Sequence, residues 1–208
     1  MVSVILVPQG AEYQAVSQGV RAQKNPPEVI AIPAGAAAIR DLDRCSEASD
    51  VLVMGLCGSL SPQFEIGTIA LYHACVNLSG QVQECDRALT NRLQNQFQVS
   101  PVLGLMSDRV ICSVTEKRSL GEFYKAAVVD MEGFAILEQR SVAMLRVVSD
   151  DLSGDLPDLS TVINSDGKIQ AIPMAIAMMK RPIAASRLIR GSLSGLRKLR
   201  ELASELSR

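Results

Sequence analysis

Apolar runs of strand length alternate along this chain with helix-length segments of mixed polarity. VSVILV at 2–7, EVIAI at 28–32, VLVM at 51–54, GTIALYH at 67–73, PVLGLM at 101–106, AAVV at 126–129 and AMLRVV at 143–148 predict strands. Between them the pattern predicts helices over 11–23, 35–44, 86–96, 115–124 and 131–141. Strands that are apolar throughout, separated by helices, imply a sheet covered on both faces, an α/β layer architecture. In such sheets small ligands bind where strands end and turns begin, so the strand ends are where chemistry is sought.

Four strand ends are chemically loaded. The first strand runs into PQGAEYQ, with Glu12 at its mouth, and the third into MGLCGSL, read as a small-residue turn around Gly55, Cys57 and Gly58. The sixth runs into Asp130-Met131-Glu132-Gly133 and the seventh into Ser149-Asp150-Asp151. Each has a plain structural alternative. An acid at a strand-to-helix junction also serves as a cap or a first-turn charge, and a tight turn needs glycine with or without a ligand.

Composition narrows the classes. The chain has 208 residues, 48% of them apolar, enough to bury a substantial core as one domain spanning 1–208. No Trp and a net charge of −1 argue against a nucleic-acid partner. Charge is uneven, however: residues 180–208 hold eight basic and two acidic residues, +6, while residues 1–179 carry 13 basic against 20 acidic, −7. Five dispersed cysteines without a C-x-x-C pair fit reduced thiols in a cytoplasm. A single histidine and the lack of a zinc spacing or a calcium loop leave no metal site to expect, and no apolar run reaches the length of a membrane span. PQGAEYQAV lacks the G-x-G-x-x-G turn of a dinucleotide-binding oxidoreductase, and no cofactor is expected.

The order of the loaded strand ends resembles the nucleoside phosphorylase and nucleosidase family that contains the methylthioadenosine/adenosylhomocysteine nucleosidases. The resemblance runs through Glu12, MGLCGSLSPQFEIGTIAL (54–71), SDRVICSVTEK (107–117), VVDMEGFAI (128–136) and RVVSDD (146–151). It implies a central mixed, twisted sheet flanked by helices on both faces, and cleavage of the N-glycosidic bond of a purine nucleoside, most simply with adenine as the leaving base. By resemblance Glu132 binds the sugar hydroxyls and Met131 packs on the sugar face. A carboxylate suits a vicinal diol, and its charge favours an oxocarbenium-like transition state. Asp130 is then a helix-terminal or supporting carboxylate.

The same resemblance makes Asp150 the acid that protonates the leaving purine; partial burial and the like-charged Asp151 would favour its neutral form. Glu12 matches the base that orients and deprotonates the attacking water. Arg146 matches an arginine near that water and a sugar hydroxyl, with a buried ion pair to one of the acids as the alternative. Val110 and Ile111, on a strand edge, would read and stack on the purine, with Asp108 as a further partner for the base.

Phosphorylases of this family hold phosphate with arginine and serine ligands at the ends of the first and third strands. Here Val53 and Leu56 occupy those places, so hydrolysis is the first expectation and phosphorolysis the alternative; an anion site rebuilt on Arg109 or Arg146 would favour the latter. A non-catalytic nucleoside-binding protein on the same fold is a further alternative, which the joint presence of Glu12 and Asp150 disfavours.

The segment after His73 is short and the tail from Ser165 is long and apolar, a combination resembling the hopanoid-associated phosphorylase branch, whose implied substrate is a lipid-linked adenosine. Residues 165–208 are expected as a C-terminal helical extension of the same domain. Leu193, Leu196, Leu199, Leu202 and Leu206 form an apolar arc, with Met174, Met178 and Met179 ahead of it. Packing on the sheet or on another subunit is the ordinary reading, and a homodimer or higher homo-oligomer is expected. A peripheral membrane contact through the basic helix is the alternative, and it requires the leucine face to be free.

Overall fold

A computed structural model describes residues 2–45, 48, 50–159 and 170–206. The first residues of the expected tail extension, 165–169, therefore lie outside the described residues. Eight strands form one sheet: β1 (Val4–Pro8), β2 (Glu28–Ile32), β3 (Val51–Ser59), β4 (Ile69–Asn77), β5 (Val82–Glu84), β6 (Val102–Met106), β7 (Val128–Asp130) and β8 (Ala143–Asp150). Helices α1 (Ala11–Val20), α2 (Arg87–Phe97), α3 (Val114–Tyr124) and α4 (Gly133–Gln139) connect them, and α5 (Ala171–Lys180) and α6 (Pro182–Glu205) follow.

The sheet is mixed, and part of it closes on itself. β8 pairs in parallel with β3 and antiparallel with β4, β4 pairs with β6, β6 with β7, and β7 antiparallel with the end of β3. That ring leaves β1 and β2 as a parallel extension from the start of β3, with β5 as a short antiparallel edge on β4. The ends of β1, β3, β7 and β8 supply residues to one cavity.

Alternate residues of the strands enter two cores, one on each face. Leu6, Val53 and Met144 lie in one and Ile5, Leu52 and Leu145 in the other, which is the period-2 placement expected of strands covered on both sides. Leu199, Leu202, Ala203 and Leu206 of α6 belong to the second core, with Val16 and Val20 of α1. The leucine face of the tail is thus buried in the domain from Leu199 onward. The start of the arc, at Leu193, remains exposed. No helix among the described residues is long and apolar enough to cross a membrane.

Two predicted elements differ from the structure, and one strand, β5, was not predicted. Residues Gly35–Cys45 form a 3₁₀ helix, not an α-helix, a distinction that eleven residues of this composition do not encode in their period. β5 has three residues, too few for a readable alternation. MGLCGS, read as a turn, continues β3 as far as Ser59. Gly55 and Gly58 are not among the glycines with positive φ. What requires them is crowding: a Cβ on Gly55 would lie 2.9 Å from Glu12 Oε1, and one on Gly58 would lie 2.9 Å from Asp150 Oδ2. Glycine here makes room for neighbouring charged side chains.

Candidate active site

Gly10, with φ at 100°, turns the chain out of β1, and α1 begins at once, placing Glu12 in its first turn. β1 pairs with β3 only as far as Val53. Three residues on, the Leu56 amide donates to Glu12 Oε1 at 2.6 Å. Burial pushes the Glu12 carboxyl up to about 7; the Leu56 N–H and Arg146 oppose that shift, and the nearby charges of Glu132 and Asp130 add to it.

β7 ends on Asp130, whose Oδ1 accepts from the Gly133 amide at 2.8 Å and from the Glu132 amide at 3.2 Å, tying down the start of α4. Its Oδ2 lies 3.1 Å from Arg146 Nη2. Asp130 therefore has the supporting position that its place before α4 suggested. Glu132 Oε1 accepts from the Gly35 amide at 2.8 Å, and Oε2 lies 3.3 Å from the same Arg146 nitrogen. Burial raises the Glu132 carboxyl, with Arg146 opposing and Asp130 adding.

Arg146 is wholly buried and lies beneath the cavity, not on its wall. The buried ion pair to the acids, weighed beside a place near water and sugar, is present. Burial disfavours its charge, but Asp130 and Glu132 outweigh that and raise it further above the ordinary arginine range. Its guanidinium crosses β3 at Gly55.

Asp150 lies at the end of β8 on the cavity wall. Beside the like-charged Asp151 that the sequence offered, it has a neighbour of opposite charge, the ammonium group of Lys117, which contacts Oδ2. Lys117 is 1% exposed and sits 3.4 Å from the Asp151 carbonyl oxygen. The Ser149 hydroxyl donates to Asp150 Oδ1 at 3.0 Å. Cys57 on β3 also lines the cavity; burial pushes its thiol well up, so it remains neutral.

The cavity of about 770 Å³ brings together Glu12, Met131, Glu132, Asp150, Val110 and Ile111. Val110 and Ile111 occupy the loop between β6 and α3, not a strand, because β6 ends at Met106. Asp108 is exposed and is not part of the wall; Arg109 is, with its guanidinium 2.5 Å from Glu116. Gly58 and Cys57 line the cavity, whereas Gly55 stands behind Glu12.

One part of the site escaped the sequence reading. Lys117 falls on the stripe Val114, Leu120 and Tyr124 of α3, and a lysine on the less exposed face of a helix was the available signal. Met174 and Met178 of α5 with Leu188 and Leu193 of α6 form an apolar wall. α6 reaches it because Gly191 packs on the Ser149 carbonyl, and a Cβ on Gly195 would lie 2.9 Å from Leu56 Cδ2.

No protein-family model matches the chain, and no curated protein matches it in sequence. Solved structures do match over nearly its whole length, and they are nucleosidases and a related hydrolase in fold. A futalosine hydrolase of Helicobacter pylori strain 26695 aligns at TM-score 0.66 and 15% identity, covering 98% of this chain and 97% of the other. The 5′-methylthioadenosine/S-adenosyl homocysteine nucleosidase of Helicobacter pylori, complexed with a pyrrolidinol nucleoside analogue, aligns at TM-score 0.65 and 15% identity, covering 98% and 97%. The Streptococcus pneumoniae MTA/SAH nucleosidase, in complex with 8-aminoadenine, aligns at TM-score 0.62 and 13% identity, covering 96% and 99%. The expected mixed α/β fold with C-terminal helices is the fold this chain shares with them.

Proposed function

We propose that the protein hydrolyses the N-glycosidic bond of an adenine nucleoside carrying an apolar 5′ substituent. The observation that carries this reading is a cavity with Glu12, Glu132 and Asp150 on one wall and apolar residues of α5 and α6 on another. Glu132 and Met131 hold the ribose, and Ile111 and Val110 flank the base. Asp150 delivers a proton to the departing purine, and Glu12, with its carboxyl near neutrality, takes one from the attacking water. Arg146 acts from below by fixing Glu132 at 3.3 Å.

Water is favoured over phosphate on electrostatic grounds. Glu12, Asp130 and Glu132 surround the single cation Arg146, leaving the cluster at −1 even when Glu12 is protonated. A phosphate dianion would meet carboxylates there. Arg109, which does line the cavity, is engaged with Glu116 at 2.5 Å. The same net negative charge stabilises a cationic sugar.

The apolar wall from α5 and α6 favours a 5′ group larger than a hydroxyl, and a lipid-linked adenosine of the hopanoid type is the bulky limit of that class. The test measures adenine and sugar products from adenosine, 5′-methylthioadenosine and adenosines with longer alkyl 5′ groups, with and without phosphate. Free ribose products independent of phosphate, with kcat/KM rising with 5′ apolar size, are expected. Turnover only with phosphate, giving a ribose 1-phosphate, would overturn hydrolysis.

A further inference from the structure

Lys117 is the second cation at this site, after Arg146, that is almost completely enclosed, and nothing in the reaction as described above uses it. It rises from the first turn of α3, four residues after the Ser113 cap, and reaches across to the end of β8. Its Nζ meets Asp150 Oδ2 and the Asp151 carbonyl oxygen at 3.4 Å. A lysine so enclosed loses the hydration of its ammonium group, and it is kept where that charge has a partner.

The surroundings leave that proton few other destinations. Ser149 offers one hydroxyl proton, shared between the other oxygen of Asp150 at 3.0 Å and the Cys57 carbonyl at 3.3 Å. Cys57 from β3 and Cys112 from the loop before α3 carry the nearby thiols, both raised by burial first of all, so neither supplies a competing thiolate. Asp158 stands by Cys112, and Asp155 is spent on the Val114 amide at 2.9 Å. Glu116, the neighbour of Lys117 in sequence, faces outward to Arg109.

We propose that Lys117 acts through Asp150 as the store of the proton that the leaving purine takes. The inference rests on the hydrolase reading above. Lys117 is then a positioning residue with a proton to give, since it touches Asp150 and not the substrate. As the C–N bond breaks, its electron pair goes to the base; the Asp150 carboxylate takes a proton from the Lys117 ammonium and passes a proton on to the base nitrogen. Asp150 ends as a carboxylate and Lys117 as a neutral amine. The attacking water gives its hydroxide to the sugar carbon and its proton to Glu12; Glu12 returns that proton to solvent, and Lys117 regains one.

The site explains why such a store is useful. A carboxylic acid poised to donate must carry a proton at the moment of reaction, and Asp150 in contact with an ammonium group has one available without drawing on solvent. Gly58 is the structural provision for it, because a Cβ there would lie 2.9 Å from the oxygen that Lys117 contacts.

The test compares wild type, K117R and K117M for adenine release from 5′-methylthioadenosine across pH, and for cleavage of 4-nitrophenyl β-D-ribofuranoside, whose leaving group departs as an anion. K117M is expected to lose on the order of 10²–10⁴-fold in kcat near neutral pH with KM little changed, and that deficit relative to wild type is expected to shrink as pH falls, because Asp150 must then draw its proton from solvent. K117R keeps a cation against Asp150 but does not release a proton, so it is expected to lose kcat likewise. Both variants should retain the nitrophenyl activity of wild type. Restoration of wild-type kcat and pH profile by K117R would overturn the proposal, as would a K117M whose pH profile is unchanged or whose loss is equal on both substrates. Should K117M fail to fold, K117R decides alone. A wild-type protein that releases adenine from no adenosine would instead refute the hydrolase reading, before any variant is compared.

Discussion

Glu12 on α1 and Leu56 on β3 are joined by a hydrogen bond of 2.6 Å, donated by the Leu56 amide to the Glu12 carboxylate. It forms just past the point where β1 stops pairing with β3, so a side chain completes what the neighbouring strand leaves undone. The bond places one oxygen of Glu12 and leaves the other for a water. With its carboxyl near 7, the group changes charge in the range where the reaction is expected to run.

The acid limb of kcat/KM is therefore expected to rise through about pH 7 as Glu12 ionises, and Glu12→Gln should abolish that limb while lowering turnover on the order of 10²–10⁴-fold. Stability moves the opposite way. Between about 4.5 and 7 the folded protein binds a proton at Glu12 that the unfolded chain has released, so this group lowers stability as pH rises through that window. Glu12→Gln is expected to be the more stable protein at pH 8, by on the order of 1–3 kcal/mol after allowance for partial exposure, in urea unfolding. Equal stability of the two at pH 8 would contradict the raised carboxyl.

Arg146→Met removes the one cation beneath Asp130 and Glu132 and leaves two buried carboxylates facing each other. A loss on the order of 3–5 kcal/mol is expected from denaturant unfolding at neutral pH, shrinking toward acid pH as the carboxylates take up protons. A loss independent of pH would mean that Arg146 matters for packing alone.

Asp150→Asn should lower kcat on the order of 10²–10⁴-fold with a small change in KM, since its proton is needed only as the base departs. Glu132→Gln should damage both constants, because the sugar touches it before and during cleavage. Asp130→Asn should act mainly through Arg146 and α4, lowering stability more than it alters KM. Steady-state kinetics with parallel thermal melts separate the three.

Much of this was legible in the residues because the signal was local. Glu12, Glu132 and Asp150 stand shortly after apolar runs or at their ends, and the strand periodicity brings them close to the ends of β1, β7 and β8. What the chain did not disclose depends on contacts between distant segments. Lys117 meets Asp150 across 33 positions, and Gly35 meets Glu132 across 97. Gly55 and Gly58 were visible as glycines, but the same letters serve a turn or a crowded strand, and only the approach of Arg146 and Asp150 decides between them. The loop carrying Val110 and Ile111 was read as a strand edge because apolar pairs have no period of their own.

The tail gives the last prediction. Its leucine arc reads equally well as a membrane-facing surface and as a core-facing one, since amphipathicity states only that one face avoids water. The structure separates the two along the helix. From Leu199 onward the arc lies against α1 and the sheet, with Leu199, Leu202 and Leu206 buried, whereas Ile183, Ile189 and Leu193 remain 77%, 50% and 58% exposed. Leu202→Ala should cost on the order of 2–5 kcal/mol, and removal of residues 199–208 should unfold the protein, because it opens the core that α1 shares. Leu193→Ser should leave stability within about 0.5 kcal/mol of wild type, as expected for an exposed position. Its effect belongs to the site: Leu193 lines the cavity, so the substitution should raise KM for nucleosides with long alkyl 5′ groups more than for adenosine. An L193S protein that discriminates between these substrates as wild type does would show that the 5′ group lies elsewhere than along α6.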